Sequence, residues 1–315
     1  FKTVKVPEIA LMQLAAGAKG ITCAKLGEAE VLADAGVDDI LIANEIIDPR
    51  RISRLATLAG RVHHMAVAVD TVQNVRDLSK ACSEAGTTLY ILVELDVGMG
   101  RCGVESYEDG LEVARAVVDA PNLEFEGIQA YEGHLVLKPE VQVRIDGVEK
   151  MLPWVSGFKA YLEQNGIPVR EISGSGTGTY TYTSPANVHT ELQAGSYIYM
   201  DTRYGGLGLP FEHAQYVLGM VMRRRPDTVI VDVGLKGFSM DNGNPVAVGF
   251  EDEYLKLSEE HATLGDPQPK LKVGDTVAFI PSHCCTNINI YDKAYAIRGG
   301  KVEAVYEVKG RGKSQ

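Results

Sequence analysis

His283 and Cys285, in the stretch PSHCCTNINIYD, set an imidazole and a thiol two residues apart. A neutral imidazole nitrogen and a thiolate sulfur are borderline-soft donors that suit Zn²⁺ and other divalent ions. The surrounding DTVAFIPSHCCTNINIY reads as β-structure, in which residues two apart share a face. On that reading His283 and Cys285 point together, and Cys284 points away as a packing residue. Two protein donors are too few for a closed structural site, and they leave positions open for water or substrate. A disulfide between the neighbours Cys284 and Cys285 would be strained. The ordinary alternative for a solitary His-X-Cys is packing.

Four other stretches carry residues of chemical use. SGSGTGTYTY, Ser173 to Tyr182, packs Gly174, Gly176 and Gly178 among hydroxyl residues. Small residues let backbone amides approach an anion, and a following helix N-terminus would add its dipole. It is not a Walker motif, because no Gly-Lys-Ser/Thr follows, and a flexible turn is the plain alternative. DVGMGRCGV sets Arg101 just past an apolar strand, either as a surface turn or as a cation for a phenolate or carboxylate. QAYEGH brings Tyr131, Glu132 and His134, all able to exchange protons. Lys2, in FKTVKVPEIA, becomes nucleophilic only where burial or a nearby cation lowers its pKa.

The elements that must position these residues change character along the chain. GITCA (20–24), DILIA (39–43), HHMAVAV (63–69), TTLYILVELD (87–96), LEFEGIQAY (123–131) and VREISGSG (169–176) read as strands. Helical patterns such as KLGEAEVLADAG and VQNVRDLSKACSEAG separate them. Short strands alternating with helices argue for βαβ units and a parallel sheet. At least six such units in about 200 residues favour an α/β fold of the (β/α)₈ barrel type over an open, doubly wound sheet. In a barrel the loops after the strands build the active site, and the glycine-rich and arginine stretches occupy such loops. The final third is β-rich with turns, as in QYVLGMVMRRR, TVIVDVG and KVEAVYEV, and suits an antiparallel sheet or small barrel. HATLGDPQPKLKVGD (261–275) is expected to be a loop. The expected domains are residues 1–208, the barrel, and 209–315, the β-rich domain carrying His283 and Cys285.

The bulk numbers exclude several classes. The net charge of −11 would repel a nucleic-acid backbone, and the one dense basic run, Arg223-Arg224-Arg225, reads as a solvated turn. No apolar run approaches the roughly 18 residues needed to cross a bilayer. No secretory signal opens the chain. Five cysteines without framework spacing fit a reduced, cytoplasmic setting. Because the chain opens on Phe1, it is expected to begin inside a longer protein.

Taken together, FKTVKVPEIA, GITCAKLGEAEVLADAG, VELDVGMGRCGV, QAYEGH, SGSGTGTY, TELQAGSYIYMD, DVGLKGFSMDNG and PSHCCTNIN resemble, in order, the metal-dependent, pyridoxal-phosphate fold-type III lyases. That family includes D-threonine aldolase, D-serine dehydratase and the 3-hydroxyaspartate dehydratases and aldolases. The resemblance spans nearly the whole chain. It implies an alanine-racemase-like barrel followed by a β-domain, pyridoxal 5'-phosphate as cofactor, and a divalent metal (Zn, Mn or Mg). It further implies that Lys2 is the Schiff-base lysine and that Arg101 meets the cofactor's phenolic oxygen. Gly176, Thr177, Gly195, Ser196 and Tyr197 would form the phosphate cup, with Tyr131 near the ring. His283 and Cys285 would hold the metal. The implied substrate is a D-3-hydroxy-amino acid and the implied assembly a homodimer. SGSGTGTY and TELQAGSYIYMD look closest to the D-threonine aldolases, which implies retro-aldol cleavage to glycine and an aldehyde. The His-X-Cys pair looks more like the dehydratases, because the aldolases resemble His-X-Asp there. Loss of water and ammonia is therefore the second reading. A racemase, or a non-catalytic carrier of the cofactor, has no use for a metal that binds a hydroxyl.

Overall fold

The computed structural model describes residues Phe1–Gln315. They form two compact units, Phe1–Gly195 with Gly312–Gln315, and Ser196–Arg311. No helix is long and apolar enough to cross a membrane.

The first unit is built on seven parallel strands: β1 (Ile21–Cys23), β2 (Asp39–Ile42), β3 (His64–Val69), β4 (Leu89–Glu94), β5 (Leu123–Ala130), β6 (Glu171–Gly174) and β7 (Glu191–Leu192). They pair in sequence order. Nearly every residue of β3 and β4 is buried, as in parallel sheets covered on both faces. Helices α1 (Pro7–Ala15), α2 (Leu26–Asp34), α3 (Pro49–Ala59), α4 (Val72–Ala85), α5 (Tyr107–Asp119) and α6 (Val141–Gln164) lie between successive strands or before the first. Their starts are written in the sequence. Asp48 caps α3, with Pro49 in its first turn, and the Thr71 and Ser106 hydroxyls cap α4 and α5.

Lys19, just before β1, pairs with Glu171 at the start of β6 and with Glu191 of β7, 3.4 Å away. The sheet therefore curls until its two edges approach, a curled seven-stranded form of the expected (β/α)₈ barrel. His64 on β3 ties three strands together: its ring nitrogens lie 2.9 Å from Asp39 of β2 and 3.0 Å from Glu126 of β5. Those two carboxylates raise its pKa to about 10, despite the opposing effect of burial.

The second unit is an antiparallel sheet in the order β10-β13-β8-β9-β12-β11. Its strands are β8 (Val217–Arg224), β9 (Thr228–Val231), β10 (Val246–Ala247), β11 (Leu255–Leu257), β12 (Ala262–Gly265) and β13 (Thr276–Ile280). A separate hairpin joins β14 (Lys293–Arg298) and β15 (Lys301–Glu307). Val217, Val221, Val229, Val231, Phe238 and Phe279 share one core. The short helices α7 (Tyr180–Thr183), α8 (Thr202–Gly205) and α9 (Cys284–Ile288) complete the chain.

Some expectations change. The stretch expected to be a loop over 261–275 begins with β12, a strand of four residues, ATLG, that pairs on both sides and buries Ala262 and Leu264. The basic run ends β8, and Arg224 is anchored by Asp266. The units part at Gly195/Ser196, whereas the sequence reading puts the boundary at 208/209. The intervening residues are bound into the second unit: Tyr199 O accepts from Ala214 N at 2.8 Å, and Asp201 Oδ2 accepts from Cys284 N at 2.9 Å.

Candidate functional site

In the first unit, candidate residues gather where strands end. Glu132, just past β5, is fully buried. One of its oxygens accepts from Ser175 N at 3.1 Å and the other from Thr179 Oγ1 at 2.5 Å. This carboxylate fixes the loop after β6 while Ser175 holds a left-handed backbone, φ 65°. Gly176 and Gly178 are required by close approach. A Cβ on Gly176 would lie 2.7 Å from Val136 Cγ1 and 3.6 Å from Tyr131 Oη, and one on Gly178 would lie 1.8 Å from Val136 O. The structure thus brings Tyr131 to Gly176, beside the buried Thr177. Such a loop, made of small residues and rigidly held, fits the phosphate of a cofactor bound through backbone amides. The helix that follows, α7, is a single turn, so the expected dipole adds little.

Lys2 is exposed and lies in a turn in which Lys5 N donates to Phe1 O at 2.9 Å. Its neighbour Thr3 approaches Gly195, where a Cβ would stand 3.2 Å from Thr3 Oγ1. Arg101 Nη2 lies 3.6 Å from Glu94 Oε1, within a turn whose amides at Gly98 and Met99 donate to Asp96 Oδ1 at 2.8 Å. Burial and the neighbouring Glu45 raise Glu94 to about 8, against the pull of Arg101. His134 is lowered by burial.

In the second unit His283 and Cys285 do come together, but by a different route from the expected one. The β-structure stops at Ile280; His283 is the N-cap of α9 and Cys285 lies in its first turn. A helix start, and not strand alternation, joins them. Cys285 is within hydrogen-bonding reach of the imidazole and, together with Asp241, raises His283 to about 9. Cys284 is fully buried, as its packing role required, and its thiol is pushed far up by Cys285 and by burial.

Asp241 is the neighbour of His283 that sequence reasoning missed. Its Oδ2 lies 2.5 Å from His283 Nδ1, and its Oδ1 accepts from Thr286 Oγ1 at 2.9 Å and from Ser239. Burial would raise Asp241, yet the bonds from Ser239, His283 and Thr286 outweigh it and hold the acid down to about 2. With Nδ1 committed to a carboxylate, Nε2 is left as the donor atom, the arrangement that orients metal-binding histidines. Imidazole, thiol and supporting carboxylate therefore fit a borderline divalent ion. Ser196 Oγ reaches Cys285 Sγ at 3.9 Å, and the Tyr197 ring packs on Phe211 with centroids 5.5 Å apart.

Comparison with known proteins agrees with this fold. Residues 2–203 match the alanine racemase N-terminal domain family, and residues 214–297 match a serine dehydratase domain family. The chain is 39% identical to the 3-hydroxy-D-aspartate aldolase of Paracoccus denitrificans (strain Pd 1222), over 96% of this chain and 81% of that protein. The chain belongs to the fold-type III lyase family. A fold-type III lyase of known structure, the D-threonine aldolase of Filomicrobium marinum, superposes with a TM-score of 0.93 at 34% identity, covering 99% of this chain and 86% of that one. The D-threo-3-hydroxyaspartate dehydratase of Delftia sp. (strain HT23) is more distant, 26% identical over 90% of this chain and 82% of its own length.

Proposed function

We propose that this lyase is a D-3-hydroxy-amino-acid aldolase that uses pyridoxal 5'-phosphate and a divalent metal (Zn, Mn or Mg) to split its substrate into glycine and an aldehyde. The observation that carries the reading is the His283–Cys285 pair steadied by Asp241. Such a pair has no purpose in a racemase or a cofactor carrier. Relatives named as aldolases, at 39% and 34% identity, support the choice of reaction.

When bound, pyridoxal phosphate supplies an electron sink at the substrate's Cα. The chain's own residues do the rest. In this reading Lys2 attaches the cofactor. Gly176, Thr177, Gly195, Ser196 and Tyr197 take its phosphate, and Tyr131 borders its ring. Arg101 presents a guanidinium to its phenolic oxygen. His283 and Cys285 would hold the metal, which would supply Lewis acidity at the 3-hydroxyl. Asp241 keeps His283 Nδ1 protonated and its ring in register. Cleavage of Cα–Cβ leaves its electron pair on Cα, the 3-hydroxyl becomes the aldehyde oxygen, and a proton delivered to Cα completes glycine. The thiol at Cys285 favours a second reading. In a dehydratase, Lys2 would remove the α-proton and the 3-hydroxyl would leave as water, with His283 and Cys285 holding a metal that supplies Lewis acidity there; hydrolysis of the resulting imine by water would give ammonia and a keto acid.

The test is product analysis with D-threonine, D-serine and D-3-hydroxyaspartate, with and without chelator. Glycine plus an aldehyde, lost on chelation, is expected. Ammonia plus a keto acid would move the assignment to the dehydratases, and no metal-dependent product from any of the three would end the lyase chemistry proposed here. We further propose a homodimer. A reducing, cytoplasmic setting suits five cysteines, none of which forms a disulfide.

A further inference from the structure

We propose that Glu45, Asp70 and Cys102 form a second divalent-cation site, backed by Glu94 and sharing no residue with the His283–Cys285 pair. Three adjacent parallel strands deliver the ligands. Glu45 follows β2, Asp70 follows β3 directly, and Cys102 lies in the loop after β4. One donor atom from each of the three lies within 4.8 Å of the others. An ion about 2.0–2.3 Å from each carboxylate or thiolate donor can occupy the space among them with small side-chain movements.

An acidic cluster alone would not carry this, because carboxylates often gather at strand ends. The second observation is Glu94. It is 5% exposed, and its Oε2 is buried with no hydrogen-bond partner. Its carboxyl reaches Glu45, whose buried Oε1 also lacks a partner. Its stem runs beside Gly103, the residue after Cys102, where a Cβ would stand 3.2 Å from Glu94 Cγ. Gly103 N in turn donates to Asp70 Oδ2 at 3.1 Å, which turns Asp70 toward the same loop.

The charge balance points the same way. Glu45, Asp70 and Glu94 bring three carboxylates together. The cation at hand is Arg101, 3.6 Å from Glu94 and 47% exposed. Glu45 and Glu94 meet carboxyl to carboxyl, with a buried oxygen on each that no donor of the chain satisfies. A shared proton or a dication can hold such a pair together, and the nearby donor atoms of Asp70 and Cys102 favour the dication. Oxygen, oxygen and sulfur form a mixed donor set, which suits Zn²⁺, Co²⁺ or Mn²⁺ better than Ca²⁺ or Mg²⁺.

Co²⁺ is the probe, since thiolate ligation gives it a near-ultraviolet charge-transfer band. The full chain is stripped with chelator and titrated, with bound metal measured by elemental analysis. The parent is expected to take up a second equivalent beyond the one assigned to His283 and Cys285. A chain carrying both His283→Ala and Cys285→Ala should keep one equivalent and its thiolate band. Adding Cys102→Ser to that chain should remove the band, and adding Glu45→Gln should remove the equivalent, with circular dichroism unchanged. If the double variant binds no Co²⁺, or if Cys102→Ser and Glu45→Gln each leave its uptake and band intact, the proposal is overturned and Glu45 and Glu94 simply share a proton. Failure of the first metal assignment looks different: His283→Ala and Cys285→Ala would then leave the parent's uptake undiminished.

Discussion

At the scale of single residues, the donor groups of the candidate site are legible in the sequence and their supports are not. His283 and Cys285 stand out because imidazole and thiol are rare and adjacent. Asp241 lies within the DVGLKGFSMDNG stretch, but its contact with His283 spans 42 residues, which no local pattern encodes. Glu132 was visible as an acid, but its work is to brace Ser175 and Thr179, also from a distance. Two tests follow from these supports. Asp241→Ala should weaken Zn²⁺ binding by about 10–100-fold in a chelator competition, the usual cost of losing the carboxylate behind a metal-binding histidine. Affinity equal to the parent's would refute the link. Glu132→Ala strands the buried Ser175 amide and removes the shortest bond of the Thr179 hydroxyl, so it should lower unfolding free energy by about 1–3 kcal/mol in urea and weaken cofactor retention. Full retention of cofactor with lowered stability would show that Glu132 only supports the fold.

At the scale of elements, periodicity located six of the seven barrel strands, since most are apolar runs bounded by turns and each follows a helical pattern. β7 escaped because it is two residues long and carries Glu191. The stretch around His283 failed for a related reason. The apolar run of β13 was extended through Pro281 into residues that fold as a helix, and nothing in SHCCTNI marks the switch. His64 gives the element scale its own prediction. Its pKa rises from 6.5 to about 10 on folding, through Asp39 and Glu126. A group raised on folding stabilises fully below its unfolded pKa and loses that contribution as pH climbs through the folded value. The barrel should therefore lose on the order of 2 kcal/mol between pH 6.5 and 10, a figure kept modest because the pair is partly solvated. His64→Gln should flatten that slope in urea titrations across the range. A slope identical to the parent's would remove His64 from the account.

At the scale of the whole molecule, the sequence announces two kinds of structure, but not how the surface of either is used. The outward face of β8 is the clearest case. Val217, Gly219 and Val221 point into the core, while Leu218, Met220 and Met222 are each at least half exposed, with Tyr216 beside them. Alternation of this kind normally places polar residues outside. An apolar row on the outer face instead marks a surface that meets another one. In a twofold dimer the same row is used by both copies, so each residue counts twice. Covering the remaining half of each side chain stabilises by about 1 kcal/mol, or about 6 kcal/mol over the two rows. If the proposed homodimer uses this face, Met220→Glu with Met222→Glu would bring four carboxylates into it. Their desolvation, at several kcal/mol, should weaken dimerisation at least 100-fold. Light scattering coupled to size exclusion should then give the mass of a single chain. Melting of the monomer should be little changed, since neither side chain is in the core. A double variant that elutes as a dimer like the parent would place the interface elsewhere on the molecule.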